Sequence, residues 1–388
     1  MIAVRHRARW AMLAPGRWLD NATVTVAQGK VVHVKGGPRS KPGASALDHG
    51  RGVIMPGLVN AHTHLSLSAL SGKLELGSGF LGWVRKLIEV RRSLAADAAT
   101  AAMEQAVDRL RETGTALVGE FGPHIPVAPA LAAAGLSGTV WLELLGEDQD
   151  LPPLPLPLGE VNFAYGGHAP HTASPSLLRR IKEVDRRLGR PFALHLAESE
   201  EELEFLATGR GRWADFLRNM GKDCSGWACS GRRPVELASE LGLLDGDTLA
   251  VHLLRVTAEE IEIFRGSGAH LCLCPRSNRN LHGSLPDIPA FLAAGLAPAL
   301  GTDSLASTET ISMFDEMSFA ALSYPGLSPD TILAMATVNG ARALSRPDLG
   351  SITPGRTARL MYVDMDAATP AEAAERLVNL PARRVLWL

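Results

Sequence analysis

Eight short apolar runs recur along the middle of this chain, each separated from the next by a segment of helical character. No other feature constrains the fold as strongly. The runs are Leu58-Val-Asn-Ala-His62, Ala116-Leu-Val-Gly-Glu120, Thr139-Val-Trp-Leu-Glu-Leu144, Val161-Asn-Phe-Ala-Tyr165, Phe192-Ala-Leu-His-Leu196, Leu249-Ala-Val-His252, His270-Leu-Cys-Leu-Cys274 and Ala297-Pro-Ala-Leu-Gly-Thr-Asp303. Near-continuous apolar runs of this length are what strands buried on both faces require. Helix start signals stand between them: Ser174-Pro175, the capping box Thr257-Ala-Glu-Glu260, and Ser328-Pro329-Asp330. Eight such units over roughly 290 residues suit a (β/α)8 barrel of TIM type, an α/β fold whose site lies at the C-terminal ends of the strands. A doubly wound sheet is the competing architecture, but no G-x-G-x-x-G follows the first run to support it.

The two ends of the chain read differently. Ala22-Thr-Val-Thr-Val-Ala27 and Lys30-Val-Val-His-Val34 are β-rich and are punctuated by Gln28-Gly29 and Gly36-Gly37-Pro38. Near the other end, Gly350-Ser-Ile-Thr-Pro-Gly355 precedes the strand-like Arg359-Leu-Met-Tyr-Val-Asp-Met365. The expectation is one small β-sandwich domain assembled from residues 1–55 and 350–388, flanking a barrel over 56–349. Leu151-Pro-Pro-Leu-Pro-Leu-Pro-Leu-Gly159 reads as a stiff connection between the third and fourth strands. The stretch from Asp223 to Pro234 reads as a loop and a candidate cover for substrate.

Composition excludes several classes of function. Lys and Arg total 39 against 41 Asp and Glu, a formal charge of −2, with no basic block. Such a balance leaves no electrostatic footprint for nucleic acid or an anionic membrane, and favours a small neutral or zwitterionic partner. The four cysteines, Cys224, Cys229, Cys272 and Cys274, are too sparse for a disulfide scaffold and lack C-x-x-C spacing, so reduced thiols are expected. The start, Met1-Ile-Ala-Val-Arg-His-Arg-Ala-Arg9, has no long apolar segment of a signal peptide. Ile125 to Leu142 is uncharged, but Pro126, Pro129, Gly135 and Gly138 make it helix, turn and strand rather than a membrane span. A cytoplasmic protein is expected.

The chemistry concentrates at the strand ends. His62-Thr-His64 ends the first strand, where alternate residues point to one face and both imidazoles reach one ion. His195-Leu-Ala-Glu198 closes the fifth strand, His252 ends the sixth, and Asp303 of Gly301-Thr-Asp-Ser304 ends the eighth. Nitrogen and carboxylate donors suit a borderline divalent ion, with three histidines and one aspartate leaving a position for water. Such an ion lowers the pKa of its water towards neutrality, and Glu198 stands where it can shuttle protons. The other histidines, His6, His33, His49, His124, His270 and His282, have no partner pattern and read as structural.

Pro56-Gly-Leu-Val-Asn-Ala-His-Thr-His-Leu65, His195-x-x-Glu198, His252 and Gly301-Thr-Asp303-Ser together resemble the amidohydrolase superfamily over essentially the whole chain. The resemblance implies a metal-dependent (β/α)8 barrel with a flanking β-sandwich. It also implies His62, His64, His195 and Asp303 on the metal, with His252 hydrogen-bonded to the attacking water or the substrate. Binuclear members carry a carboxylated lysine on the fourth strand, whereas Val161-Asn-Phe-Ala-Tyr-Gly-Gly-His168 has none. One divalent ion is expected, zinc first, with iron or manganese as alternatives.

Two further segments narrow the resemblance. Gly167-His168-Ala-Pro-His171-Thr172 and Cys274-Pro-Arg-Ser-Asn278 are similar to elements of the methylthioadenosine/S-adenosylhomocysteine deaminase branch, and the chain is similar to aminofutalosine-deaminase-like hydrolases. Gly167, His171 and the Ser-Leu-Ala-Ser-Thr308 run after Asp303 depart from the branch pattern. The resemblance implies a hydrolase that deaminates the 6-amino group of an adenine nucleoside. Catalysis falls to Glu198, His252 and Asp303, and substrate contacts to His168, His171, Ser277 and Asn278. Trp83 is a candidate pocket wall and Glu89 a candidate for the ribose hydroxyls. Arg276 and Arg279 could meet a substrate carboxylate, with surface charge as the competing reading. The partner is then a small nucleoside, and the resemblance also allows a homo-oligomer. Hydrolysis of guanine, cytosine or triazine rings needs the same ligands and is the alternative. A non-catalytic barrel is the distant one, and it would be expected to have lost a ligand or the shuttle.

Overall fold

The computed structural model describes residues 3–37, 46–77, 79–122, 126–222, 224 and 230–388. Eight parallel strands form one sheet in strict chain order: Leu58–Thr63, Thr115–Gly122, Ser137–Leu144, Val161–Gly167, Phe192–Leu196, Thr248–His252, His270–Leu273 and Ala299–Leu300. A parallel bridge between Thr63 and Asp303, and the Asp303 N–H donating to the His62 carbonyl at 3.0 Å, join the first strand to the last. The sheet is therefore the barrel that the eight runs predict. Cys274, read as the end of the seventh strand, instead precedes the helix Pro275–His282.

The helices between strands form where caps and apolar spacing coincide. In Pro175–Arg187, Ser174 accepts from the Leu177 N–H, Pro175 supplies a preset first φ, and Leu177, Leu178 and Ile181 turn one apolar stripe inward. Thr257 closes its predicted capping box with Glu260, and Ser328 caps Pro329–Met335. Leu151–Gly159 contains no helix, and its only ladder contact is a single bridge at Leu158.

A second, seven-stranded mixed sheet draws on both ends of the chain. Val4–Ala14 pairs antiparallel with Arg17–Ala27, which pairs with Lys30–Lys35, and Val53–Pro56 pairs antiparallel with Leu360–Val363. The chain passes from this sheet into the barrel through Gly57, where a Cβ would stand 2.5 Å from that of Ala116. Only glycine permits so close an approach. Val4–Ala14 is a full strand despite its charges, in keeping with residues 2–55 read as β, whereas the last stretch, read as β, carries the helix Pro370–Val378 capped by Thr369.

Cys224, Cys272 and Cys274 are buried, and Cys272 and Cys274 are in no disulfide. Cys229 and His124, and half of the Asp223–Pro234 loop, lie outside the described residues. No helix among the described residues is long and apolar enough to cross a membrane.

Candidate active site

The C-terminal rim of the barrel gathers the histidines. The rings of His62 and His64 stand edge-on with centroids 4.8 Å apart, and His64 Nε2 lies 3.2 Å from His195 Nε2. Asp303 Oδ1 is 3.7 Å from His62 Nε2 and 3.8 Å from His64 Nε2. His252 joins the group, since its ligand atom and those of His62 and His195 all lie within 4.8 Å of one another. Phe121 supports the group with its ring 4.4 Å from His62, and Trp141 packs beneath Phe121 at 4.7 Å.

Local backbone explains why these residues converge. Ala197, His252, Leu253 and Asp303 all have positive φ, between 43° and 79°. Non-glycine residues pay for this conformation, and they keep it where the fold needs side chains aimed off the strand direction. Gly301 permits the closure, because a Cβ there would lie 2.7 Å from both the His62 Cβ and the Cys272 Sγ.

The donor set fits a cation. The His168 carbonyl can only accept, so the 2.8 Å contact from His195 Nδ1 fixes the hydrogen there and leaves Nε2 as a lone pair. That lone pair faces His64 Nε2. Both nitrogens of His62 are buried without a hydrogen-bond partner among the described residues. Burial, the leading cause, together with neighbouring imidazoles lowers His62, His168 and His195 well below the usual histidine range and His64 to about 4. These rings are therefore neutral, which is the form a metal binds. Asp303 spends Oδ2 on the Ser277 hydroxyl at 2.5 Å and on Ser307 at 3.2 Å, leaving Oδ1 towards the histidines. Burial raises its carboxyl above the usual range.

Glu198 faces this group from the side. Its Oε1 is 3.7 Å from His252 Nε2 and 3.1 Å from His282 Nε2. Burial opposes its charge, but His252 and His282 outweigh burial and hold the carboxyl well below the carboxylate range. The loop carrying it is fixed by Glu202, whose carboxylate accepts the N–H groups of Ala197 at 3.1 Å and Glu198 at 2.7 Å. Asn278 donates to His252 Nδ1 at 3.2 Å, which places the His252 hydrogen on Nε2, towards Glu198.

The other sequence candidates divide. His168 lies beside His195 with ring centroids 5.0 Å apart and bonds Thr172, whereas His171 is buried edge-on against Trp213. Ser277 and Asn278, expected as substrate contacts, have hydrogen bonds to Asp303 and His252 instead. Trp83 packs on Phe80 and donates its indole N–H to the Ala306 carbonyl, on the loop that follows Asp303. Glu89 is not brought to the site. Its side chain is 70 % exposed and pairs with Lys86 one turn away, because the apolar stripe of its helix faces the other side. Arg276 is buried and bonded to Glu309 and Thr310, so it holds the loop rather than waiting for a ligand.

Four residues of this region went unrecognised in sequence. Glu120 and Glu143 lay inside runs read as plain strand, yet both side chains are buried at the rim and burial pushes both up to about 8. An acid within three residues of a buried strand's C-terminal end was the available signal. His282 stands one helical turn after Asn278, a spacing that puts the two on one face. Glu202 offered no signal beyond its place in a helix N-terminus.

A barrel that gathers histidines at the ends of its first, fifth and sixth strands and an aspartate beyond its eighth has the donor set of a metal-dependent hydrolase, and the sequence assigns the family. The chain belongs to the amidohydrolase family, whose profile matches residues 53–383. Among characterised relatives, the aminodeoxyfutalosine deaminase of Deinococcus radiodurans is 31% identical over 358 residues, covering 82% of this chain and 80% of that protein. The 5-methylthioadenosine/S-adenosylhomocysteine deaminase of Moorella thermoacetica is 31% identical over 343 residues, covering 83% and 75%. The fold is that of the crystal structure of Helicobacter pylori aminofutalosine deaminase in complex with methylthio-coformycin, at a TM-score of 0.86, 23% identity, and coverage of 98% of this chain and 97% of that one.

Proposed function

We propose that this chain is a mononuclear, zinc-dependent aminohydrolase that removes the 6-amino group of an adenine nucleoside bearing a ribose substituent, of the aminofutalosine, methylthioadenosine or S-adenosylhomocysteine type. The observation carrying this reading is the set of unshared imidazole nitrogens on His62, His64 and His195 facing the free oxygen of Asp303, with the Glu198 carboxylate alongside. The relatives supply the substrate class. We further propose residues 56–349 as the catalytic unit and 1–55 with 350–388 as its flanking domain.

His62, His64, His195 and Asp303 are the residues to hold the ion. When bound, the ion lowers the pKa of water and so supplies a nucleophile at neutral pH. His252 presents Nε2–H beside Glu198 and orients the attacking oxygen. Glu198 accepts one water proton and passes it to the ring nitrogen adjacent to C6, while the C6–O bond forms. Asp303 carries the second proton to the exocyclic nitrogen. The C6–N bond then breaks, releasing ammonia and leaving a hypoxanthine-type ring. His168 and Trp83 are the remaining candidates for substrate contact.

Ultraviolet absorbance tests the reading, since adenine and hypoxanthine chromophores differ. Zinc-loaded protein is expected to convert at least one of adenosine, methylthioadenosine, S-adenosylhomocysteine and aminofutalosine, with the rank order naming the ribose substituent. No change in any of them, with one metal per chain confirmed, would move the substrate to another heterocycle.

A further inference from the structure

We propose that His282 is a positioning residue for Glu198, holding its carboxylate through a hydrogen bond from Nε2; the kinetic part of this inference rests on the function proposed above. His282 closes the helix Pro275–His282, whose earlier residues Ser277 and Asn278 already hold Asp303 and His252. One helix therefore touches three acid–base groups of the site: Asp303 through Ser277, His252 through Asn278, and Glu198 through His282.

The contact is well placed for the task. His282 Nε2 lies 3.1 Å from Glu198 Oε1, shorter than the 3.7 Å from His252 to the same oxygen, and both side chains are buried, at 4% and 9% exposure. Phe80 lies against the imidazole with ring centroids 5.0 Å apart, so the ring has an apolar wall on one side. A carboxylate has no hydrogen to give, so the contact places a proton on His282 Nε2. Without it, Glu198 would keep its backbone fixed by Glu202 but lose the nearest group that orients the carboxylate itself. A shuttle must meet both water and ring nitrogen within hydrogen-bond reach, and small misplacements of such groups cost large factors in rate.

The other groups around Glu198 hold its carboxylate less closely. His252 turns its Nε2 to the same oxygen from 3.7 Å, beyond hydrogen-bond distance, and Glu202 accepts backbone N–H groups and lies 3.8 Å from His171.

The test uses metal-loaded full-length protein. His282→Ala is expected to lower kcat by about 10²-fold, within the range for acid–base catalysis, with KM changed less than threefold and metal content unaltered. His282→Gln, whose amide can donate from a similar reach, is expected to recover at least a tenth of the wild-type kcat. In a Glu198→Gln background His282→Ala is expected to cost no further rate, because its effect runs through that carboxylate. Multiplying losses, or a change confined to KM, would overturn the proposal. Nitrogen-15 NMR of the imidazole gives a readout independent of turnover: Nε2 protonated in wild type, and mixed tautomers in Glu198→Gln. An unprotonated Nε2 in wild type would overturn the proposal whatever the substrate. Failure of every nucleoside with the Nε2 proton in place would instead sink the proposed function alone.

Discussion

The Thr63 hydroxyl, between the two histidines of His62-Thr-His64, lies 2.7 Å from Glu120 Oε2, and both oxygens of that carboxyl group lie 3.0 Å from the Leu65 nitrogen, whose N–H donates to them. Glu120 itself is on the second strand and 1% exposed. It ties the end of the first strand to its neighbour just where the chain must leave the ladder with two imidazoles aimed at one point.

Replacing Glu120 should therefore be felt at the metal before it is felt in the fold. Glu120→Ala leaves the buried Leu65 N–H unpaired, while the Thr63 hydroxyl keeps the Gly119 carbonyl at 3.1 Å as its acceptor, costing about 1–3 kcal/mol, and metal affinity should fall roughly 10–100-fold, as for other residues that support ligands. Chelator competition against zinc measures this directly. Unchanged affinity in a destabilised protein would reduce Glu120 to a purely structural role.

The metal-free protein should lose stability as pH rises from 6.5 through 8. Burial pushes Glu120, Glu143 and Asp185 up to about 8, so each native carboxyl holds a proton that the unfolded chain has released. A raised native pKa gives stability that is full below the unfolded value and lost as pH passes the native one. Each group still protonated costs about 1.4 kcal/mol per pH unit. The depressed histidines act in the opposite sense, but each gains only about 0.4 kcal/mol as the unfolded rings lose their remaining protons between pH 6.5 and 8, less than each carboxyl loses. Urea unfolding of chelated protein at pH 6.5, 7.25 and 8 gives the slope, and a rise in stability would refute it.

How much of this was legible in sequence depends on what each residue's position relies on. The barrel strands were readable because burial on both faces makes them continuous apolar runs. His62, His64, His195, His252 and Asp303 were readable because the strand end itself places them. His282 was not, because it belongs to a later helix and meets Glu198 only when separate units pack together, and Glu202 was not, because an acid in the first turn of a helix reads as an ordinary partner of the helix dipole. The strand Val4–Ala14 falls within residues 2–55, read as β, and it tolerates its charges because Arg9 pairs with Asp20 at 2.7 Å across the hairpin and stacks over Trp10. The eighth strand was overestimated, since Pro298 has no N–H for the ladder and the chain beyond Leu300 turns to meet the first strand.

Glu89 provides a check on the side of its helix that faces the site. With its carboxylate exposed and paired only to Lys86, Glu89→Gln should leave KM within twofold and stability within about 0.5 kcal/mol, the range for exposed pairs. A tenfold rise in KM would mean that this face of the helix turns inward when substrate binds.

Ser277 offers the finest probe of Asp303. Its hydroxyl bonds Oδ2 at 2.5 Å, and Ser307 also reaches that oxygen, at 3.2 Å, so removing one donor weakens the carboxylate's hold without freeing it. Hydrogen bonds to a charged group are worth about 1.5–3 kcal/mol. Part of the loss in Ser277→Ala is offset by the remaining donor, and kcat should fall about tenfold, roughly 1.4 kcal/mol of barrel-rim organisation expressed in the rate. Asp303 would then accept and deliver its proton from a looser position, while Oδ1 still faces His62 and His64. Metal content should stay at one per chain, and KM should hold. If metal were lost along with rate, Ser277 would be acting on the ligand geometry of Asp303 rather than on its proton, and the division of the carboxylate into a metal-facing and a hydroxyl-held oxygen would be wrong.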